Sequence, residues 1–198
     1  MAFLLKKNII LWASRIAPLM LLSANGHAAS PSWNIVPEKS QLTFTAVQNG
    51  APVSGTFPSF SGDIHFDPSS LADSHVRISI DLASVVTSYG QVADTLKTSD
   101  WFDTSHFPQA IFQANRFTKK ADNLYEGQGT LTMRNKTVPT SVTFSLNEYS
   151  PTHALVKGNA VLKRTSFGVG QGEWADTNAI KDDVNVDFIL DAVPDKKG

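Results

Sequence analysis

Apolar and polar residues alternate along most of this chain beyond residue 32. In QLTFTAV, Leu42, Phe44 and Ala46 fall on one face, Thr43 and Thr45 on the other. HVRISIDL sets Val76, Ile78, Ile80 and Leu82 against His75, Arg77, Ser79 and Asp81. SVTFSL repeats the scheme with Val142, Phe144 and Leu146, and ALVKGNAVLK and VNVDFILDAV follow it more loosely. Successive side chains of a strand point to opposite faces, so this period of two predicts half-buried antiparallel strands.

Turn signals separate the runs: Gln48-Asn49-Gly50, Asp67-Pro68-Ser69-Ser70, Ala121-Asp122-Asn123, Arg134-Asn135-Lys136-Thr137 and Ser150-Pro151-Thr152-His153. Their frequency predicts hairpins of an all-β barrel or sandwich. Gly127, Gly129 and Gly158, inside strand patterns, predict bulges or sharp bends. One segment breaks the rhythm. A short helix is predicted over Gln91–Ser99, with Val92 and Leu96 four apart on one face. Asp100 to Pro108 reads as a loop, because Pro108 pushes Phe107 out of helical geometry, and a strand resumes over Gln109–Phe117.

The first 28 residues stand outside this pattern. Lys6, Lys7 and Arg15 precede the apolar run Ile16–Leu22, and Gly26-His27-Ala28 fits a signal-peptidase site, so a signal peptide cut after Ala28 is expected. A membrane anchor is the alternative, but no unbroken apolar run reaches the ~20 residues a span needs. One domain over residues 29–198 follows, directed to the periplasm. Without the three N-terminal cations the chain has 14 basic and 18 acidic residues, a net charge of −4. That disfavours nucleic acid and simple docking on anionic headgroups. There are no cysteines, hence no disulfides, thiolate metal sites, covalent haem or lipid-modified Cys anchor.

The stretch KTSDWFDTSHFPQAIF poses the functional question. Asp100, Asp103 and His106 would share a face only if the helix continued, and Pro108 argues against that. The histidines lack metal-ligand spacing, and there is no nucleophile elbow or phosphate-binding loop. No catalytic residue, metal or cofactor is therefore assigned. The aromatic residues, spread over nearly every predicted element, carry more information. From chemistry alone they fit a filled core and an apolar pocket equally well.

Taken in order, WNIVPEKSQLTFT, GTFPSFSGDIHFDPSSL, DLASVVTS, LKTSDWFDTSHFPQAIFQA, GQGTLTMRNKTVPTSVTF, LKRTSFGVGQGEW and VNVDFIL resemble the YceI-like family of exported polyisoprenoid-binding proteins. The resemblance covers almost all of residues 33–193. It implies a lipocalin-like antiparallel β-barrel of about eight strands, with one short helix and a long loop beside an apolar cavity. The implied ligand is an isoprenoid lipid or quinone, held by its tail, with no established reaction. Trp101 and Phe102 occupy the family's aromatic pair, and Phe107-Pro108 its following aromatic-proline step. Where many members carry Arg-Asp-x-His-Leu on the helix, this chain has Val92-Ala93-Asp94-Thr95-Leu96, so headgroup contacts through that Arg and His are missing.

The expected apolar lining is Phe44, Ile78, Ile80, Leu96, Trp101, Phe112, Leu131, Phe144 and Phe167. Arg164 and Ser166 are candidate headgroup contacts, with Arg164 also placed to pair with an acidic neighbour. Asp94, Asp100 and Asp103 are weaker candidates. The expected role is carriage, storage or sequestration of the lipid, with transient contact with membrane redox proteins; the oligomeric state is open, a homodimer being one option. Two rival readings remain. One is an enzyme acting on a lipid or amphiphile through the Asp/His cluster at residues 100–106. The other is a scaffold or interaction protein of a membrane redox system.

Overall fold

The computed structural model describes residues 30–195; the expected signal peptide and its cut after Ala28 lie outside the described residues. The chain forms β1 (Ser32–Ile35), β2 (Gln41–Gln48), β3 (Ala51–Thr56), β4 (Phe60–His65), β5 (His75–Asp81) and β6 (Val86–Thr87). Helix α1 (Gly90–Lys97) follows, then β7 (Gln109–Lys119), β8 (Leu124–Met133), β9 (Lys136–Ser150), β10 (His153–Lys163) and β11 (Asp183–Pro194). The helix and the strand after it fall within two residues of the positions their patterns predict.

These eleven segments make eight wall strands, because the first three walls are each broken once. β1 and β2 both pair with β11, Trp33 opposite Pro194 and Phe44 opposite Val186. β4 pairs with β1, and β3 with β2. β5 pairs with β4, and β6 with β3. A 3-10 turn, Pro37–Lys39, fills the first break, and Leu82–Ser84 fills the third. From β5 onward a plain meander runs through β7, β8, β9 and β10 to β11, where the ring closes on β1. Closure leaves a small barrel without a free edge along most of its height. The result is the expected eight-stranded antiparallel barrel with one helix.

Two irregularities keep aromatic residues inside. Ala110 and Phe112 face the interior, and the shift between Ala114 and Arg116 changes the phase of β7, so Phe117 also turns inward. A second shift, where Glu148 and Leu146 face Leu155 and Val156, does the same for Tyr149 after Phe144 and Leu146. Gly129 sits beside the first shift, where a Cβ would lie 1.8 Å from the Gln113 carbonyl oxygen. Gly158 marks no bulge; a Cβ there would meet the Phe188 ring at 2.3 Å. The β8–β9 turn places Arg134 and Asn135 at φ 50° and 58°, the left-handed pair of a two-residue hairpin.

Candidate ligand-binding cavity

Inward-facing residues of all eight walls enclose a cavity of about 600 Å³, within the range of pockets that hold small organic ligands. Every residue expected in the lining stands on its wall: Phe44, Ile78, Ile80, Leu96, Trp101, Phe112, Leu131, Phe144 and Phe167. The alternation supplies most of them. Leu96 comes from the buried face of α1, and Trp101 from the turn that follows it.

One end of the cavity is floored by Trp33, Phe66 and Tyr149. Trp33 Nε1 donates to the Phe66 carbonyl oxygen at 3.0 Å, the Tyr149 hydroxyl donates to the same oxygen at 3.4 Å, and the two rings lie 5.3 Å apart. Burial, aided by Asp67 and Tyr125, pushes the Tyr149 phenol up to about 12, so it stays neutral. Phe66 meets Phe117, Tyr125 and Phe144 edge-on. The alternation did not point to Tyr149, because the shift in β9 reverses its phase.

The other end is covered by α1, the turns of residues 98–108 and the segment between β10 and β11. Two arginines bind these pieces together. Arg134 donates to the carbonyl oxygens of Ser99, at 2.7 Å, and of Trp101. Arg164, 3% exposed, donates to four carbonyl oxygens, those of Val169, Gly170, Ile180 and Lys181, at 2.9–3.2 Å. The Asp100 carbonyl oxygen accepts from the backbone N–H groups of Gly170 and Gln171 at 2.8 and 2.9 Å. Gly170 has φ +74°, and a Cβ there would lie 2.4 Å from the Arg164 guanidinium, so both backbone shape and space require glycine.

This arrangement corrects the expected role of Arg164. Among the described residues no carboxylate is in ion-pair contact with it: Asp182 acts on it only through its charge and accepts from the N–H and hydroxyl of Thr165, at 3.0 and 2.8 Å. Arg164 reaches the wall, but four of its N–H donors are committed to the chain. Ser166 stands on the exposed side of the 3-10 turn Arg164–Phe167 and is not on the wall, because that turn sends Phe167 inward instead. Of the two candidate headgroup contacts, Arg164 is thus on the wall and Ser166 off it.

Trp101 closes part of the covered end, 5.7 Å from the Trp174 ring. Its Nε1 is buried without a hydrogen-bond partner, so packing alone holds the ring there. The polar cluster beside it turns away. His106 Nδ1 meets Asp103 Oδ1 at 2.9 Å, and the Asp103 carbonyl oxygen accepts from the N–H groups of His106 and Phe107. The His106 hydrogen bond, ahead of those of Ser105, holds the Asp103 carboxyl below the usual range. The His106 side chain is 74% exposed, and none of Asp100, Asp103 and His106 stands on the cavity wall. Among the described residues, no three His, Cys, Asp or Glu side chains are grouped to hold a metal ion.

Comparison with known proteins matches this geometry. A profile of the YceI-like domain covers residues 33–192. Among curated proteins, a UPF0312 protein of Vibrio parahaemolyticus is 25% identical over 133 residues, 67% of this chain and 70% of the relative. The crystal structure of Burkholderia cenocepacia BcnA is 30% identical and superposes with a TM-score of 0.76, covering 80% of this chain and 99% of that one. A polyisoprenoid-binding domain from Saccharophagus degradans shares the fold at 17% identity and a TM-score of 0.67, covering 83% and 99% of the two chains. With its profile match running from the first wall strand to the last, this chain belongs to the YceI-like family.

Proposed function

We propose that this protein binds an isoprenoid lipid or quinone by its tail, inside the barrel, and carries, stores or sequesters it outside the cytoplasm. The observation that carries the reading is the aromatic-lined cavity of about 600 Å³ inside the barrel. An isoprenoid tail gains roughly 25 cal/mol for each Å² of apolar surface it withdraws from water. Its branched methyls pack on rings and aliphatic side chains and ask for no polar partner. The relative from Saccharophagus degradans, named for polyisoprenoid binding, supports the same class of ligand. The export signal expected over residues 1–28 supports a periplasmic site of action, and a quinone cargo would bring the protein into transient contact with membrane redox proteins. Ligand binding by these groups needs no catalytic residue and no resident cofactor.

Titration with a short-chain quinone tests the binding reading. Tryptophan quenching serves for the wild type and His106→Ala, and calorimetry for Trp101→Ala once its fold is confirmed. Trp101→Ala should lose affinity on the order of 1–3 kcal/mol through lost apolar contact. His106→Ala should bind like the wild type, since its ring lies off the wall. Normal binding by Trp101→Ala together with loss in His106→Ala would move the site to the polar cluster. Export is checked separately: native protein should be soluble and begin near Ala29, and an intact Met1 in a membrane pellet would reject it.

A further inference from the structure

The cavity wall is apolar along most of its length, but at the end covered by α1 it carries two carboxamides. Gln48 comes from the end of β2 and Gln91 from the first turn of α1, and both stand on the wall. Gln91 is exposed, as is Tyr89 beside it at 75%, although both stand on the wall, which marks the N-terminal margin of α1 as the mouth of this covered end. Among the described residues neither carboxamide has a hydrogen-bond partner. Each offers two donors and an acceptor. Thr95, also on the wall, directs its proton to the Gln91 carbonyl oxygen at 2.9 Å and keeps its lone pairs.

Charge is arranged differently. Arg164 is the one cation among the wall residues, and its N–H groups are held by four backbone carbonyls whose dipoles face its charge. Lys181, next to Ile180 of the wall, is exposed and off it. Lys97 sits 3.9 Å from Asp94. Arg134 is held by the Ser99 and Trp101 carbonyl oxygens, Lys136 reaches the outside of the covering segment at Gly168, and neither stands on the wall, while Glu173 and Asp176 flank Trp174, so no free cation is aimed into the mouth. Sites that take phosphate present Arg forks or Lys ammonium groups aimed at the anion. A diphosphate at this mouth would exchange water for neutral amides and nearby carboxylates, which leaves its charge uncompensated.

We propose that the mouth selects an uncharged headgroup bearing carbonyl or hydroxyl oxygens, hydrogen-bonded by Gln48 and Gln91, and discriminates against isoprenoid phosphates. The inference rests on the isoprenoid reading of the cavity and adds the headgroup to it. A quinone ring and a free isoprenoid alcohol share this chemistry.

Calorimetric titration of the mature protein at physiological ionic strength, with farnesol, farnesyl diphosphate, headless farnesene and a quinone of short isoprenoid tail, tests it. Farnesol and the quinone should each bind at least ~10-fold more tightly than farnesyl diphosphate. The quinone-to-farnesol ratio tells which source of the oxygen is preferred. Gln91→Lys should narrow the gap by tightening the diphosphate. Gln48→Leu combined with Gln91→Leu should bring farnesol to the affinity of farnesene measured on the same variant. Diphosphate binding as tightly as farnesol in the wild type, with farnesene also bound, would overturn the headgroup inference and leave tail binding standing. Retention of the farnesol preference in the double variant would overturn the role of the two carboxamides. Failure of all four probes to bind folded protein would overturn the tail-binding reading, and this inference with it.

Discussion

Arg164 carries its charge into the wall of a greasy cavity, and the structure shows how that is tolerated. Burial pushes its guanidinium below the ordinary arginine range, with Asp182 pulling the other way. The planar fork distributes four hydrogen bonds over residues 5, 6, 16 and 17 positions away. Lysine cannot reproduce this, because its ammonium is a single point on a flexible stem. Arg164→Met should therefore cost ~3 kcal/mol or more in urea unfolding, since buried carbonyl oxygens lose their donors. A loss under ~1 kcal/mol, with cavity binding intact, would show that the covering segment holds without its staple. None of this was legible in LKRTSFGVGQGEW. Carbonyl acceptors leave no trace in side-chain identity, so an arginine beside acidic residues reads as an ion-pair partner. Lining residues such as Phe44, Ile78 and Phe112 were legible because burial on one face of a strand is written in side-chain type.

At the scale of elements, the strands and the helix follow from their periods, but the breaks in the first three walls do not. The alternation of Val76, Ile78, Ile80 runs on through Leu82, although the 3-10 turn begins there, and Leu82 is buried either way. Ala83, Ser84 and Val85 contain neither glycine nor proline; the bend is held by Asp81, whose Oδ1 accepts from the Ala83 N–H at 2.9 Å and whose carbonyl oxygen accepts from the Ser84 hydroxyl at 2.7 Å. A second feature invisible to local patterns joins β9, β10 and β11. His153 places Nε2 3.0 Å from Asp191 Oδ2 and Nδ1 3.1 Å from Glu148 Oε2. Asp191 is buried, and its other oxygen has no partner. The hydrogen bond to Asp191, more than that to Glu148, raises the imidazole pKa above its ordinary 6.5. Because the folded value exceeds the unfolded one, the contribution is complete below pH 6.5 and is lost as pH climbs through the raised value. Wild type should thus be more stable than His153→Gln at the acidic side of this window, with the difference shrinking as pH rises. Urea midpoints measured across it give the answer, and a difference independent of pH would sink the idea.

For the molecule as a whole, the period of two specified a barrel or a sandwich, the family resemblance chose the barrel, and the space inside it was not legible. Phe is frequent, at 12 residues, and rings fill a core as readily as they line a void. Only the closure of eight walls with the floor of Trp33, Phe66 and Tyr149 decides the matter. A ligand that binds this void and not the unfolded chain adds stability by mass action, about 2.7 kcal/mol at a hundredfold excess over Kd. Protein stripped of lipid by organic extraction and refolded should melt below protein taken intact from its host. Adding the extract back should restore the higher midpoint; equal midpoints before and after stripping would mean that no cargo was held.

The seam between β1 and β11 sets the order of events in time. Trp33 and Pro194 are paired across nearly the whole described chain, so this contact carries a long loop-closure cost and a high contact order. Strand-by-strand growth from β7 to β10 is local, whereas the ring is finished by its last segment. A ligand that needs the closed ring would have no enclosed volume to enter until that moment, and would act after the folding barrier. It should slow the unfolding rate while leaving the folding rate nearly unchanged. A barrel loaded in this way would be kinetically locked, and release would pass the mouth beside α1 without parting the seam.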